Sequence, residues 1–433
     1  MHHDHVGVHV DNTAWKNIRA EQKSAYSIRV CTYNLMLAVV PPIRYNGQRQ
    51  RSMRVAENVK RLESDVGQID VLVLQELISE HQAVSSSLEK IGFGYRTEPL
   101  YSRLDLTDVK LVPGGIVIFS RYPICHNKNP HLVFRNACSG ADCFVAKGAV
   151  HCRIMVDGRP INLFGTHLQA WNTSVGRSIR KQQLVQMRQF IESRNISPAE
   201  PVVITGDFNM DMYSDVRGIK DLKEILGMRI SRRLLSGNSS SFTSDPRSNE
   251  LVGNDDDTMY STAEWPSGCY DEYLEQMRCV CCPQEWLDYI GWSQYHLRPF
   301  RSVMWSVPLK ARERFEIRMN LTTTRKIADI SDHYPVVGVL HWSTANGPDR
   351  LLDRVMGRVD RSRSSTPRSS LIAVYNRFGR EISRNMSMPF TTVVCIGAPT
   401  DPSVLRSGWI VLTLLLVIVV SVTVRGRRIG IDE

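Results

Sequence analysis

Polar side chains that can move protons or bind a metal recur where short apolar runs of this chain end. Asn34 closes CTYN, Glu76 closes VLVLQE and His167 closes LFGTH, while Asp207 and Asn209 close VVITGDFN. Strand ends on one edge of a sheet converge in space, so residues far apart in sequence can line one cleft. The pattern therefore points to a shared catalytic site.

Three more residues of this kind stand at the boundaries of later apolar runs. Asp288 opens LDYIGW, and Asp332 and His333 lie in SDHYPV just before the last run. Taken singly, each of these eight residues has an ordinary structural explanation as a turn former, a cap or a core histidine. The set favours chemistry, because two histidines, four carboxylates and two carboxamides are the groups that metal-assisted phosphodiester cleavage requires.

Cleavage of a phosphodiester by water needs a base that works near neutral pH, which histidine supplies. It also needs relief of the negative charge on the phosphoryl oxygens, which a hard divalent cation held by one or two protein oxygens supplies. Glu76 is the expected ligand of such a cation. Asn34 and Asn209 can orient water or donate to phosphate without adding negative charge, and a carboxylate partner fixes the tautomer of a histidine.

The elements that must position these residues follow from hydrophobic periodicity. Apolar runs alternate with helical-period segments between residues 27 and 342, which is typical of an α/β domain. The turn Asp157-Gly158 joins two runs directly, so we predict two packed, partly antiparallel sheets with helices outside, and we expect Gly165 to let the chain turn at a strand end. The predicted strands are 28–34, 71–75, 115–120, 148–154, 161–167, 202–207, 287–292 and 336–342, and the predicted helices are 49–62 and 177–193.

The amino-acid composition excludes a disordered chain and weakens the argument for a nucleic-acid partner. With 433 residues, 42% of them hydrophobic, the chain can bury a large core. The formal net charge of +10 would favour nucleic acid or an anionic membrane. Half of that excess lies in 343–407, where ten arginines face five acids, so no nucleic-acid partner is expected. The ten cysteines match no zinc-ligand spacing, and disulfides remain open.

Composition shifts divide the chain into segments. Residues 1–27 form an N-terminal extension without the apolar core of a secretory signal. We predict a catalytic domain at 28–342, with a Ser- and Asp-rich insertion at 236–286, followed by an Arg- and Ser-rich linker at 343–407.

The segment 408–424, GWIVLTLLLVIVVSVTV, contains no charge and precedes a short basic tail at 425–433. Roughly 17 to 25 apolar residues can cross a bilayer, and Trp409 can anchor the span at the interface. We therefore expect a single-pass, membrane-anchored protein. Its orientation stays open, because the terminal position favours a cytosolic domain, whereas five N-x-S/T sequons, the cysteines and the arginines after the span favour a domain outside.

The motifs TYN, LQE, GTHLQA, GDFN, LDYI and SDHYPV, in this order, resemble those of the endonuclease/exonuclease/phosphatase superfamily, whose fold is a four-layered α/β sandwich. Within it, NGQRQRSMR, GGIVIFSRYPI, DCFVAKGAV and the helix after GTHLQA resemble the neutral, bacterial-type sphingomyelinases. The resemblance spans about residues 28 to 342. It implies a Mg²⁺-dependent phospholipase C-type enzyme that converts sphingomyelin to ceramide and phosphocholine, with Mn²⁺ or Co²⁺ as substitute metals.

The resemblance also implies roles for the residues at the metal and at the base. Glu76 binds the magnesium ion, with Asn34 beside it. His333 is the general base that activates water. A carboxylate, either Asp288 or Asp332, orients that histidine.

Five further residues acquire roles around the substrate phosphate by the same resemblance. Asp207 and Asn209 position water and stabilise phosphoryl charge. His167 polarises the phosphate or protonates the leaving group. Lys147 and Asp142 match the Asp/Lys pair that neutral sphingomyelinases use near the headgroup phosphate, where lysine is a suitable point charge.

One region departs from the family pattern. The bacterial enzymes carry an exposed aromatic hairpin before the last SDH motif, whereas the segment 305–330 keeps Trp305 and Phe315 but is rich in charge.

The preference for a lipid headgroup also stays open, because these motifs contact phosphate and metal and not the headgroup. The alternatives are a hydrolase of another phosphosphingolipid or a lysophospholipid, then a metal-dependent nuclease, and finally a binding protein on an inactive hydrolase fold.

Overall fold

The apolar run that begins at Ala25 forms the central strand of a seven-stranded sheet. Strand β1 (Ala25–Asn34) is antiparallel to β16 (Val336–Ser343) and parallel to β2 (Val71–Gln75), whose five residues are all buried. A strand covered on both faces is expected to be almost continuously apolar, as β2 is. In spatial order, the strands of this first sheet are β11 (Arg232–Arg233), β13 (Arg301–Ser306), β16, β1, β2, β4 (Val117–Ser120) and β3 (Tyr95–Arg96).

The second sheet is built around a hairpin. Strands β7 (Gly148–Val156) and β8 (Arg159–His167) pair antiparallel across Asp157 and Gly158, which have φ angles of 49° and 74°. Two consecutive left-handed residues are what a tight hairpin turn requires. In spatial order, the sheet contains β10 (Met228–Ile230), β12 (Asp288–Ser293), β9 (Val202–Asp207), β8, β7 and β5 (Ile124–Cys125), with β6 (His131–Val133) also paired to β7.

The computed structural model describes the chain in seven stretches, and within them the predicted α/β fold with two mixed sheets is confirmed. All eight predicted strands are present, with ends shifted by at most three residues. The strands that were not predicted include several of two or three residues, which carry no periodic signal. They also include three longer ones, Arg301–Ser306, Lys310–Arg318 and Thr324–Asp329. The described residues are 25–38, 47–100, 110–125, 129–235, 239–252, 284–318 and 324–343.

The two sheets pack face to face, and Gly165 marks their closest approach. A Cβ atom added at Gly165 would lie 2.7 Å from Cγ1 of Val73 in the first sheet. The expectation that this glycine lets the chain turn was wrong, because it lies inside β8, paired with Val150 and Thr205, and has no left-handed φ. It is small because the side chains of Val73, Ile116 and Ile118 occupy the space that a Cβ would need.

Helices cover the outer faces of both sheets. Leu62 and Val84 cluster with Leu72 and Leu74, which point away from the second sheet, while Phe190 packs edge-on against Phe164 of β8. The predicted helix 49–62 is two helices. The described helices are α1 (Gln48–Ser52), α2 (Val55–Val66) and α3 (His81–Glu89) beside the first sheet, and α4 (Ser174–Ser193) and α5 (Val216–Glu224) beside the second.

A separate hairpin of β14 (Lys310–Arg318) and β15 (Thr324–Asp329) replaces the exposed aromatic hairpin of the family resemblance. Phe315 and Trp305 are both buried, at 5% and 7% exposure, and belong to the core beneath the first sheet. The side chains that β14 exposes are charged or small. In the described part of this hairpin, therefore, no large aromatic side chain faces solvent.

Several predicted segments lie outside the described residues. These are nearly all of the N-terminal extension, most of the 236–286 insertion, the linker after Ser343, the predicted span 408–424 and the basic tail. Within the seven described stretches, none of the helices combines the length and apolar character that crossing a bilayer requires.

Candidate active site

The ends of strands from both sheets meet at one edge of the domain. Asn34 ends β1 and Glu76 follows β2 in the first sheet, whereas His167 ends β8 and Asp207 ends β9 in the second. The register pairs His167 with Asp207, and Asp207 with Asp288 on the other side. The convergence predicted from the sequence is therefore present in the structure.

Asn34 joins the two sheets through its side-chain amide. Nδ2 donates to Oε1 of Glu76 and to Oδ2 of Asp207, at 3.0 Å in both cases. Its Oδ1 accepts from the backbone N–H of Met36 at 3.0 Å. In this orientation Asn34 holds the two carboxylates in place, and the oxygen that faces the cleft belongs to Glu76.

Negative charge is disfavoured on the two acids that Asn34 links. Burial and the charge of Asp288 raise the pKa of Asp207 to about 7, and the side chain of Asp207 is 1% exposed. Burial and the charge of Asp332 also raise the pKa of Glu76. Glu76 keeps 26% of its side-chain exposure, so its carboxylate is accessible from solvent. A cation from solvent can reach it.

His333 is paired with Asp288. The sequence had left open whether Asp288 or Asp332 contacts this histidine. Nδ1 of His333 lies 2.7 Å from Oδ2 of Asp288, and both side chains are buried. Burial lowers the pKa of His333, but the charges of Asp288, Asp332 and Asp207 outweigh it and raise this pKa well above its ordinary value. Nδ1 therefore carries a proton for Asp288, and the same charges favour a second proton on Nε2.

Asp332 sits beside this pair but bonds elsewhere. Its Oδ1 lies 3.1 Å from the hydroxyl of Ser331. The same hydroxyl is 2.6 Å from the carbonyl oxygen of Asn34 and accepts from the N–H of His333 at 3.2 Å. Ser331 thus connects the loop of the base to the end of β1, a link that SDHYPV alone did not predict.

His167 lies on the other side of the cleft, next to a lysine. Lys147 Nζ is 3.1 Å from Nε2 of His167 and 2.8 Å from Oδ2 of Asp142, and it donates to the carbonyl of Leu168. Burial, then the charges of Lys147 and His333, lower the pKa of His167 well below its ordinary value. His167 is therefore neutral, and its Nε2 lies 3.6 Å from Oδ2 of Asp207.

Asn209 is hydrogen-bonded to the end of β9 and to the segment that follows β8. Its N–H donates to Oδ1 of Asp207 at 2.9 Å, and its Nδ2 donates to the carbonyl of Leu168 at 3.1 Å. It adopts φ 51°, a left-handed conformation that asparagine tolerates better than most residues. All ten residues selected from the sequence thus belong to one connected site.

The residues present fit a hard divalent cation. Glu76 offers a partly exposed carboxylate, and Asp207, Asp288 and His333 bring ligand atoms within 4.8 Å of one another. Among the described residues, Oδ1 of Asp288 is buried and has no hydrogen-bond partner. Clustered oxygens with unbalanced negative charge are the environment that Mg²⁺ and related ions prefer.

Sequence reasoning missed a buried arginine that holds two of the site's loops together. Arg51 has no exposed surface, and its Nη1 donates to the carbonyls of Leu35 at 2.8 Å and Ile330 at 2.9 Å. Its Nη2 donates to the carbonyl of Met36. The segment NGQRQRSMR was noticed for its resemblance, but nothing in it indicated that one arginine would turn inward. This inward turn coincides with the break between α1 and α2.

A disulfide was also not predicted. Cys138 and Cys143 are bonded and close a loop that contains Asp142 and overlaps the 3₁₀ turn Gly140–Phe144. Asp142 accepts from the N–H of Ala170 at 2.7 Å, so the closed loop is fixed against the segment that follows His167. The short spacing of the two cysteines was the available signal, but ten cysteines allow many pairings.

Comparison with known proteins agrees with this geometry. A model of the Endonuclease/Exonuclease/phosphatase family matches residues 31–373. Sphingomyelinase C 1 of Leptospira interrogans serogroup Icterohaemorrhagiae serovar copenhageni is 26% identical over 331 residues, which are 71% of this chain and 48% of that protein. The chain thus spans about half the length of this relative.

Two solved structures share the fold. SmcL superposes with a TM-score of 0.57 at 23% identity, and a mutant beta toxin from Staphylococcus aureus with bound magnesium ions superposes with a TM-score of 0.56 at 23% identity. Each alignment covers 72% of this chain and 99% of the other. The family model covers most of the described domain and the strand-end site lies within it, so this chain belongs to the endonuclease/exonuclease/phosphatase family.

Proposed function

We propose that this site hydrolyses sphingomyelin to ceramide and phosphocholine, in the manner of a phospholipase C and with a divalent cation. The observation that carries the proposal is the linked set at the strand ends, in which Asn34 joins Glu76 to Asp207 between a histidine–aspartate pair and a histidine–lysine pair. The likeness to a protein named sphingomyelinase C supports the choice of substrate.

Mg²⁺ is the proposed cofactor, with Mn²⁺ or Co²⁺ as substitutes, and Glu76 is its proposed ligand. Magnesium is bound in the beta toxin structure that shares this fold. When bound, such a cation neutralises charge on a phosphoryl oxygen and lowers the free energy of the charged transition state. Burial, and then the charge of Asp332, raise the pKa of Glu76, and a bound cation would favour the charged form of this carboxylate.

His333 is the proposed base. Asp288 accepts a hydrogen bond from Nδ1 of His333, so Nε2 of the neutral imidazole would take a proton from water as that water attacks phosphorus. A cation bound beside the carboxylates would offset the charges that raise the pKa of His333 and so favour this neutral form. Asp288 then stabilises the imidazolium that forms. Asp207 and Asn34 stand between this pair and the opposite wall, where they position the water and the phosphate.

His167 and Lys147 form the proposed phosphate-binding wall. The low pKa of His167 favours a neutral hydrogen-bonding group over a proton donor to the leaving alkoxide. Lys147 carries the positive charge, and its contacts with Asp142 and Leu168 fix its direction. A point charge of this kind suits an anionic phosphodiester.

Headgroup release from several lipids tests the proposal. The full chain is incubated with Mg²⁺ and sphingomyelin, an inositol phosphosphingolipid or lysophosphatidylcholine in mixed micelles, and with plasmid DNA. We expect phosphocholine to leave sphingomyelin fastest. Faster release from either of the other lipids would assign a different headgroup to the same chemistry. Cleavage of DNA alone would favour the nuclease alternative, and no turnover at all would favour a binding protein.

We also propose that residues 408–424 anchor the protein in a membrane and that the catalytic domain lies on its oxidising side. The Cys138–Cys143 disulfide supports this side, since disulfides persist in oxidising compartments. Asn195, in the sequon NIS, is exposed just after α4. We expect Asn195 to carry a glycan in the native cell, detected by glycosidase sensitivity. This glycan should be absent from Asn195→Gln. Protease cleavage of the domain from the cytosolic side of sealed membranes would contradict it.

A further inference from the structure

Four large apolar side chains near the site are exposed to solvent although they lie on segments that carry site residues. We call Leu111, Phe144, Trp171 and Val175 the rim surface. Their exposed fractions are 53%, 52%, 45% and 54%. Single exposed apolar residues are ordinary, but a group beside a catalytic cleft is typical of an interaction site.

Backbone contacts join these residues around Asp142. The N–H of Leu111 donates to the carbonyl of Phe144 at 2.8 Å, and Phe144 follows Asp142 by two residues. Asp142 accepts from the N–H of Ala170, whose neighbour is Trp171. The rim surface therefore begins next to the Asp142–Lys147 pair of the site.

Trp171 is held in an exposed position by buried groups. It adopts φ 70°, an uncommon conformation for a large residue. Arg180, which is fully buried, donates through Nη1 to the carbonyl of Trp171 at 2.7 Å. The fold thus maintains a strained tryptophan at the surface, and such strain persists where the surroundings impose it.

An exposed basic side chain lies on the helix that carries Val175. Arg177 is on the first turn of α4, two residues after Val175, and its guanidinium donates to the carbonyl and the side chain of Asn172, next to Trp171. Asp142, the carboxylate at the centre, is neutralised by Lys147. Apolar side chains flanked by basic ones fit a bilayer interface, where the rings enter the headgroup region and the cations meet lipid phosphates.

We propose that the rim surface docks the catalytic domain onto a phospholipid bilayer and so brings a lipid phosphate to Lys147 and His167. This inference rests on the proposed function, because it assumes that the substrate is a membrane lipid. The described part of the β14–β15 hairpin exposes charged side chains and its Phe315 ring is buried, whereas the rim surface exposes apolar side chains beside the Asp142–Lys147 pair.

Tryptophan quenching tests the docking without turnover. The full chain is reconstituted into vesicles of equimolar phosphatidylcholine and sphingomyelin, with EDTA to prevent hydrolysis, and with or without a brominated phosphatidylcholine. The emission of Trp171 is obtained as the difference between the wild type and Trp171→Phe. We expect bromolipid to remove most of this difference emission. In a Phe144→Ser background, we expect a smaller loss, because docking is weakened.

Matched variants separate the rim surface from other surfaces. Trp292 is partly buried and lies at the opposite end of β12 from Asp288. The emission of Trp292, obtained as the difference between the wild type and Trp292→Phe, should therefore not change with bromolipid. Phe300 is 54% exposed and bonds to His341 at the far end of β16, so Phe300→Ser should leave the quenching of Trp171 at the wild-type level.

The outcomes distinguish this inference from the proposed function. Quenching of Trp171 in a chain that releases no headgroup with Mg²⁺ would refute the function and leave the docking supported. Release of phosphocholine with Trp171 unquenched would overturn the docking, and the rim surface would then belong to another partner. Equal quenching of Trp171 and Trp292 would also overturn it.

Discussion

At the scale of single residues, the site depends on Asn34 more than its residue type suggested. The sequence indicated the carboxylates and histidines because their chemistry is visible in the side chain. It could not show that Asn34 would donate both amide hydrogens to Glu76 and Asp207, because the orientation of an amide depends on its neighbours. Asn34 keeps the two acids a fixed distance apart without adding charge.

Asn34→Ala tests this role. Removal of the amide leaves two buried acids without their shared donor, so we expect phosphocholine release from sphingomyelin micelles to fall about 100-fold, the scale of losing one well-placed hydrogen-bond donor. Gln68→Ala, which removes an exposed side-chain amide away from the site, is the control and should keep wild-type activity. Activity within about twofold of the wild type in Asn34→Ala would show that the acids hold their positions unaided.

His151 provides a separate test at this scale, away from the site. It is buried in β7, stacks on Phe164 and contacts Asn162 at 3.2 Å, and burial lowers its pKa to about 4. The unfolded chain binds the proton at higher pH, near 6.5, so stability falls as pH decreases from about 6.5 to about 4. This single group accounts for up to about 3 kcal/mol of that loss.

His151→Gln should therefore lose less stability than the wild type when urea unfolding is compared between about pH 7 and about pH 4.5. Leu88→Ala removes a buried side chain in the core beneath the first sheet, away from His151, so it should lower stability at both pH values and leave the difference unchanged. A pH dependence that is identical in His151→Gln and the wild type would contradict the neutral, buried state of His151.

At the scale of elements, strands were predictable and their packing was not. The apolar runs gave β2 and β9 with correct ends, because continuous burial leaves a continuous apolar signal. The same reasoning joined α1 and α2 into one helix, because periodicity cannot show that Arg51 binds the carbonyls of two distant loops. The role of Gly165 likewise depends on the opposite sheet.

Gly165→Ala tests the sheet-to-sheet contact. The added methyl group would meet Val73 at 2.7 Å, so we expect the free energy of unfolding to fall by about 1–3 kcal/mol, the usual cost of overpacking a core. Gly94→Ala is the matched control, because no atom lies within 4 Å of a Cβ added there.

Combination of Gly165→Ala with Val73→Ala should recover part of this loss, since the second change removes the atom that the methyl group meets. Chemical unfolding of the four variants in a double-mutant cycle measures the recovery. Strictly additive losses would mean that the clash is relieved elsewhere and that the contact does not set the spacing of the sheets.

At the scale of the whole molecule, the site exists only because two sheets present their strand ends at one edge. The first sheet supplies Asn34 and Glu76, and the second supplies His167 and Asp207. Neither sheet alone supplies both the proposed base and the proposed phosphate-binding wall. The chain order of the motifs predicted the set, whereas the disulfide loop and the rim surface depend on contacts between loops that no local pattern records.

The most direct test of the central claim combines metal removal with loss of the base. Phosphocholine release from sphingomyelin micelles is measured for the full chain with Mg²⁺, with EDTA, and for His333→Ala with Mg²⁺, with folding checked by circular dichroism. We predict release only for the wild type with Mg²⁺, because the cation neutralises phosphoryl charge and His333 activates the water. Release that persists in EDTA or in the folded His333→Ala variant would contradict the account.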